Sequence, residues 1–255
     1  MKRLQDKVAI ITGGSGKIGF TTAKKLASEG AKVLLVDIDE DSLKEKEKEA
    51  KANNMDMSYA IADVTKAEDV KKYVETAKDR YGKIDLFFNN AGIEGDVKPI
   101  QDYPEDVFDK VMAVDVKGVF LGMKYVMPKI EDDGSIVITS SVAGFGGTPN
   151  MVGYNTAKHA VIGIMRVAAQ ELGKRKVRVN TVHPGLVDSR MTRSLLSGMN
   201  SGNMEESNKQ FKAKIPMGRF AEAEDVSNMV TFLFSDESSY VHGSTFVVDG
   251  GYTPQ

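Results

Sequence analysis

Residues 12–19 read TGGSGKIG and follow directly on the apolar run VAII. A glycine-rich turn between an apolar run and a helical pattern can cradle a phosphate in two different ways. A P-loop requires GxxxxGK followed by Ser or Thr, whose hydroxyl binds magnesium. Here Ile18 follows Gly16-Lys17, and the position five before Gly16 is Ile11, inside the apolar run. Those two departures exclude the P-loop. A dinucleotide turn instead needs a glycine for the tight bend, small residues where backbone meets pyrophosphate, and a glycine for helix–strand packing. Gly13, Gly16 and Gly19 supply these, and Ser15, Lys17 and Ile18 complete the turn where a helix N-terminus faces the anion. An acid is expected roughly 20 residues further on, at the end of the second strand. Asp37 closes VLLVD, 18 residues after Gly19. Its carboxylate can accept hydrogen bonds from a ribose diol and repels a 2′-phosphate, which favours NAD over NADP. Lys17 is the odd residue: a cation there either favours a phosphate or points to solvent.

Outward from this turn, short apolar runs alternate with helical patterns. KVAIIT (7–12), AKVLLVD (31–37), MSYAIADV (57–64), IDLFFNNAG (84–92), GSIVITSS (134–141), VRVNTV (177–182) and TFVVDGG (245–251) read as seven strands. Between the first two lies KIGFTTAKKLASEG, with Ile18, Ala23, Leu26 and Ala27 at helical spacing and Gly30 as a stop. EDSLKEKEKEAKANN and KAEDVKKYVETAKDRYG read as the next two helices, and a long helix opens near Tyr103-Pro104. Continuous apolar strands separated by helices indicate a parallel sheet covered on both faces. The expected fold class is α/β, a Rossmann-like, doubly wound, seven-stranded parallel sheet in one domain spanning 1–255. No linker or fixed-period repeat divides the chain. The segment SRMTRSLLSGMNSGNMEESNKQ (189–210) is irregular where the rest is regular. It reads as a long insertion, a substrate lid around 189–215.

Composition narrows the function. The 255 residues carry 34 basic and 36 acidic side chains, a net charge of −2, which gives no reason to expect a nucleic-acid or membrane partner. There is no cysteine, so disulfides, thiolate metal sites and cysteine nucleophiles are excluded, and a reducing cytoplasm fits. No apolar run approaches a membrane span. His159, His183 and His242 show no metal-ligand spacing, so no metal is expected.

YNTAK (154–158) places Tyr154 and Lys158 four apart on one helix face. A tyrosine titrates near pH 10; an ammonium one turn away stabilises the phenolate and is expected to lower that value. Such a pair can take a proton from an alcohol while hydride leaves its carbon, or run the reverse on a ketone. Ser141, 13 residues before Tyr154, ends the strand GSIVITSS, at the strand end where α/β sites form.

The chain here resembles the short-chain dehydrogenase/reductase family, in its single-domain branch. TGGSGKIG, Asp37, ADV (62–64), NNAG (89–92), ITSS, YNTAK, VRVNTVHPG (177–185) and VVDGGYT carry the resemblance. It implies that Asp63 and Val64 lie along the adenine and that Asn89, Ala91 and Gly92 pass the cofactor. Pro184, Gly185 and Val187 would flank the nicotinamide, with Ser189 on its carboxamide. Ser141 would orient substrate and Tyr154 act as acid/base. Lys158 would tune Tyr154 and bind the nicotinamide ribose. Glu94, Val142, Ala143, Met151, Leu186 and Met191 would lie near the substrate carbon. A homotetramer is also implied. Two positions depart from the family pattern. Lys17 stands where glycine is usual, and VDVKGVF puts Asp115 in place of a catalytic Asn. Asp115 is expected to pair with Lys158 and raise its pKa.

The resulting expectation is an NAD(H)-dependent oxidoreductase acting on a small neutral secondary alcohol, diol or ketone. The alternatives are a catalytically impaired dinucleotide-binding sensor or scaffold, with Asp115 as its mark, and an epimerase or dehydratase using transient oxidation.

Overall fold

Strands that are apolar throughout must be covered on both faces, and here they are. The computed structural model describes residues 2–199 and 204–253. Its strands are β1 (Val8–Thr12), β2 (Lys32–Asp37), β3 (Met57–Ile61), β4 (Leu86–Asn89), β5 (Ser135–Thr139), β6 (Arg178–Pro184) and β7 (Thr245–Val248). They form one parallel sheet in the order β3-β2-β1-β4-β5-β6-β7. The chain winds one way from β1 to β3, returns to the middle, and winds the other way. The reversal opens a crevice at the C-terminal ends of β1 and β4.

The helices are α1 (Lys17–Ser28), α2 (Glu40–Ala52), α3 (Ala67–Tyr81), α4 (Glu105–Val111), α5 (Val119–Val126), α6 (Val152–Leu172), α7 (Arg190–Met199), α8 (Met204–Ala213) and α9 (Ala223–Phe234). Period-two alternation along the strands sends side chains to two separate cores. Ile10, Leu34, Phe87 and Ile136 pack under α3, α5 and α6, with Val74, Val126 and Val161. Ala9, Ile11, Leu35 and Val137 pack under α1 and α9, with Leu26, Val226 and Val230.

Two differences from the sequence reading stand out. The insertion read as irregular contains helices α7 and α8; residues 200–203 of it lie outside the described residues. Helix α9 has no counterpart in the sequence reading. It starts at a capping box in which Glu222 accepts from the Asp225 amide and the Asp225 side chain accepts from the Glu222 amide.

Between α4 and α5 the helix widens into a π-helical stretch, Met112–Gly118. Such widenings often accompany functional sites. This one holds Asp115, whose side chain is fully buried.

Candidate active site

The glycine-rich turn is built for close backbone approach. Gly13 has φ +64°, left-handed backbone that favours glycine. A Cβ on Gly19 would stand 2.1 Å from the Gly13 carbonyl oxygen, so α1 can seat against the turn only with glycine there. Gly16, at the N-cap of α1, makes no side-chain capping bond, which leaves the first-turn amides for an outside acceptor. Asp37 Oδ2 accepts from the Ser15 amide at 3.1 Å and the Ser15 hydroxyl at 2.7 Å. The acid therefore sits on the turn itself. These residues fit a dinucleotide: a backbone nest for pyrophosphate and a carboxylate for a ribose diol.

Lys17 reaches the exposed surface, where it is paired. Its Nζ donates to the Asp188 carbonyl at 2.6 Å and lies 3.3 Å from Asp188 Oδ2 and 3.6 Å from Glu222 Oε2. It ties the glycine turn to the segment after β6.

Beyond the turn, the residues expected along the cofactor divide into backbone and side-chain contributors. Asp63 Oδ1 accepts from the amide and hydroxyl of Thr65, holding the end of β3 in a tight bend. Val64 packs on Gly118, where a Cβ would come within 2.9 Å of it. Asn89 is buried; its amide group donates to the Val119 carbonyl at 3.0 Å and its side-chain carbonyl accepts from the Thr12 hydroxyl at 3.4 Å, joining β4 to α5 and to the end of β1. Asn90, which the sequence reading includes only within NNAG, donates to the Thr12 carbonyl at 3.1 Å and accepts from the Thr139 hydroxyl at 3.0 Å. Ala91 passes directly over Gly13. Pro184 and Gly185 sit at the end of β6, with the Gly185 amide bonded to the Val248 carbonyl. Val187 packs into the core with the side chains under α9. Ser189 caps α7, accepting from the Thr192 amide at 3.2 Å.

The chemistry-bearing residues converge. Lys158 Nζ lies 2.9 Å from Asp115 Oδ2, with both side chains almost wholly buried. Asp115 Oδ1 accepts from the Ile93 amide at 2.8 Å. A Cβ on Gly92 would fall 2.9 Å from Asp115 Oδ2 and 3.3 Å from Lys158 Nζ, so the glycine makes room for the pair. The Lys158 ammonium also donates to the Thr139 carbonyl at 3.4 Å and lies 5.3 Å from the Tyr154 ring centre. Burial opposes charge on both partners. Asp115 is raised above the usual carboxylate range by burial, against the pull of Lys158. Burial lowers Lys158, but Asp115 overcomes it and leaves the ammonium raised. The pairing expected from the sequence is present.

The expectation for Tyr154 is not met. Its pKa is raised, because burial outweighs the Lys158 charge, while Asp115 and Glu94 add to the rise and Ser141 opposes it. Counting the ammonium alone missed both the desolvation and the carboxylate that absorbs much of its field. Ser141 is set by the turn following β5. Its hydroxyl accepts from the Ala143 amide and lies 3.4 Å from the Pro184 carbonyl. Behind it, His183 Nδ1 meets the Ser141 carbonyl at 2.9 Å and Nε2 meets the Thr181 hydroxyl at 2.7 Å. Burial lowers the His183 pKa to about 4, so the ring is neutral, donating from Nδ1 and accepting at Nε2. His183 is a support for Ser141, and no metal-ligating cluster occurs among the described residues.

Of the residues expected near substrate, Ala143, Met151 and Met191 pack around Tyr154 with Leu195 and Val97. Val142 opens the short helical turn after Ser141. Leu186 does not join them; it packs with Leu196, Ile215 and Phe220 on the far side of α7. One residue of helical offset separates Leu195 from Leu196, and the two face opposite clusters.

The site lies on a Rossmann-like fold, and similarity to known proteins narrows the class to which it belongs. Residues 14–253 match the family model described as Enoyl-(Acyl carrier protein) reductase. Levodione reductase of Leifsonia aquatica is 37% identical over 253 residues, 98% of this chain and 95% of that protein. Cyclohexanol dehydrogenase of Acinetobacter sp. strain SE19 is 36% identical, over 98% of this chain and 96% of that protein. Among solved structures, levodione reductase superposes with a TM-score of 0.93 at 36% identity, covering 98% of each chain. NAD+-bound xylitol dehydrogenase superposes at 0.94 with 32% identity, covering 98% of this chain and all of that one. The chain belongs to the short-chain dehydrogenase/reductase family.

Proposed function

We propose that this protein is an NAD(H)-dependent oxidoreductase interconverting a secondary alcohol and a ketone. The observation that carries the reading is the convergence of Tyr154, Lys158, Asp115 and Ser141 beside a glycine turn whose Ser15 is held by Asp37. A bound nicotinamide dinucleotide supplies the hydride acceptor or donor. The chain supplies the rest. Ser141 presents a hydroxyl to the reacting oxygen. Tyr154, held as a neutral phenol by burial, is ready to protonate that oxygen in ketone reduction; alcohol oxidation requires its phenolate, stabilised by the Lys158 ammonium. Asp115 keeps that ammonium charged and in place. Helices α7 and α8 act as the lid, bringing Met191 and Leu195 onto the substrate side of Tyr154. The relatives named for levodione, cyclohexanol and xylitol support a neutral carbonyl or hydroxyl substrate. Phe120 on α5 and Val167 on α6 are exposed apolar side chains on the helices expected to pack in a tetramer.

Asp37 underlies the choice of NAD over NADP, and exchanging it tests that choice. Asp37→Ser removes a negative charge from the position a 2′-phosphate would occupy. The ratio of NADH to NADPH affinity, measured by fluorescence titration, is expected to fall at least about tenfold. An unchanged ratio contradicts the assignment. Nicotinamide absorbance across secondary alcohols, diols, sugars and ketones with either cofactor tests the reaction itself.

A further inference from the structure

For the reaction proposed above, the Ser141 and Tyr154 hydroxyls must meet at one substrate oxygen, yet they come from different elements. Ser141 opens the short turn Val142–Gly144 that follows β5, and Tyr154 stands in the first turn of α6. Whatever holds that turn against that helix sets the distance between the two hydroxyls.

Two contacts do so. At the first, the Ser140 hydroxyl donates to the Lys158 carbonyl at 2.8 Å, and a Cβ on Gly144 would stand 2.8 Å from the same carbonyl oxygen. Turn and helix meet there in close backbone approach. The second contact is Asn155, about one helical turn earlier and directly after Tyr154. Its Nδ2 donates to the Ala143 carbonyl at 3.0 Å and to the Gly146 carbonyl at 2.6 Å. Ala143 is thus gripped on both sides, since its amide donates to the Ser141 hydroxyl at 3.2 Å. A chain of two hydrogen bonds runs from Asn155 through Ala143 to the Ser141 oxygen.

Asn155 is 9% exposed, and its Oδ1 is buried without a hydrogen-bond partner among the described residues. Turning the amide round gives no relief, because Oδ1 accepts only and would then face two carbonyl oxygens. An orphaned buried acceptor costs stability, whereas an apolar side chain of the same shape has no polar atom to orphan. What the amide contributes here is its donor end.

We propose that Asn155 is a positioning residue for Ser141, tying the Ser141 turn to the helix that carries Tyr154 so that both hydroxyls reach the same substrate oxygen. The role rests on the proposed alcohol–ketone reaction.

A double-mutant cycle tests it. Wild type, Asn155→Leu, Ser141→Ala and the double variant are compared on the panel alcohol that wild type turns over fastest, with NADH affinity measured by fluorescence titration. Asn155→Leu keeps the approximate volume while removing both the donor and the orphaned acceptor; Asn155→Ala is carried through the same cycle as a second replacement. With Ser141 present, kcat/KM is expected to fall roughly 10- to 100-fold, the effect of displacing a reacting group by about 1 Å. In the Ser141→Ala background the further fall is expected to be no more than about threefold, because a hydroxyl that is gone cannot be misplaced. NADH affinity is expected to stay close to that of wild type. Equal losses in both backgrounds, no loss in either, or a drop in NADH affinity that accounts for the whole effect overturns the role while leaving the reaction intact. Failure of both replacements to fold overturns it too, marking Asn155 as structural. Wild type silent across the alcohol and ketone panel overturns the reaction and this role with it.

Discussion

Tyr154→Phe is expected to lower turnover by about 10²- to 10⁴-fold, the contribution of a positioned acid/base group, while leaving dinucleotide affinity close to that of wild type. The change removes one hydroxyl and nothing else. The ring stays packed against Ala143, Met151 and Leu195 and within reach of the Lys158 ammonium, so folding is preserved. Burial raises the pKa of the hydroxyl, so in the proposed reaction it is the proton donor for a ketone oxygen. Initial rates in both directions, with NADH affinity measured alongside, check this. Turnover within a few-fold of wild type would remove Tyr154 from the mechanism.

The second large effect is on stability. Lys158→Met leaves Asp115 buried without its ammonium, and breaking a buried pair from one side costs about 3–5 kcal/mol. The sign of its pH dependence is fixed by Asp115. Its carboxyl is raised in the folded chain by burial, and without Lys158 it rises further. A carboxyl raised on folding destabilises the fold once pH exceeds its unfolded value, because folding then resists ionisation. The deficit of Lys158→Met relative to wild type should therefore be largest around neutral pH. It should shrink on acidification towards the ordinary carboxylate range, where Asp115 is neutral. Denaturant melts of both proteins across that range measure it, with Lys158→Met/Asp115→Asn as the control that restores part of the loss at neutral pH. A deficit independent of pH would show that the two groups are not coupled.

The parts of this molecule legible in its sequence are those where one physical requirement dominates. The inner strands β1, β2 and β4 are largely apolar on both faces because both faces are covered, so each stands out as an apolar run. The glycine turn is legible because close backbone approach demands glycine, and Asp37 because it closes an apolar strand. Helix α9 was not legible: its apolar run VTFLF reads equally as a strand, and only the reciprocal Glu222–Asp225 cap marks its start. Helices α7 and α8 were hidden by Ser, Gly and Asn in a segment whose apolar positions serve two separate clusters. Pairing of Asp115 with Lys158 followed from charge alone. The direction of Tyr154's titration did not, because it depends on how far burial outweighs a neighbouring ammonium, a quantity that only three-dimensional packing sets. The partners of Lys17 were equally beyond reach, since Asp188 lies 171 residues away in the chain.

In the proposed reaction hydride passes directly between a secondary carbinol and the nicotinamide ring, and Tyr154 handles only the proton. Cyclohexanol, or a vicinal diol, deuterated at the carbinol carbon and incubated with NAD+ tests it, with the reduced cofactor examined by mass spectrometry. The deuterium is expected to be carried intact to NADH, whose formation follows ketone formation one for one. NADH that binds the protein without any label passing from a panel of such alcohols would contradict it, and would mark the chain as a dinucleotide-binding protein that does not catalyse this reaction.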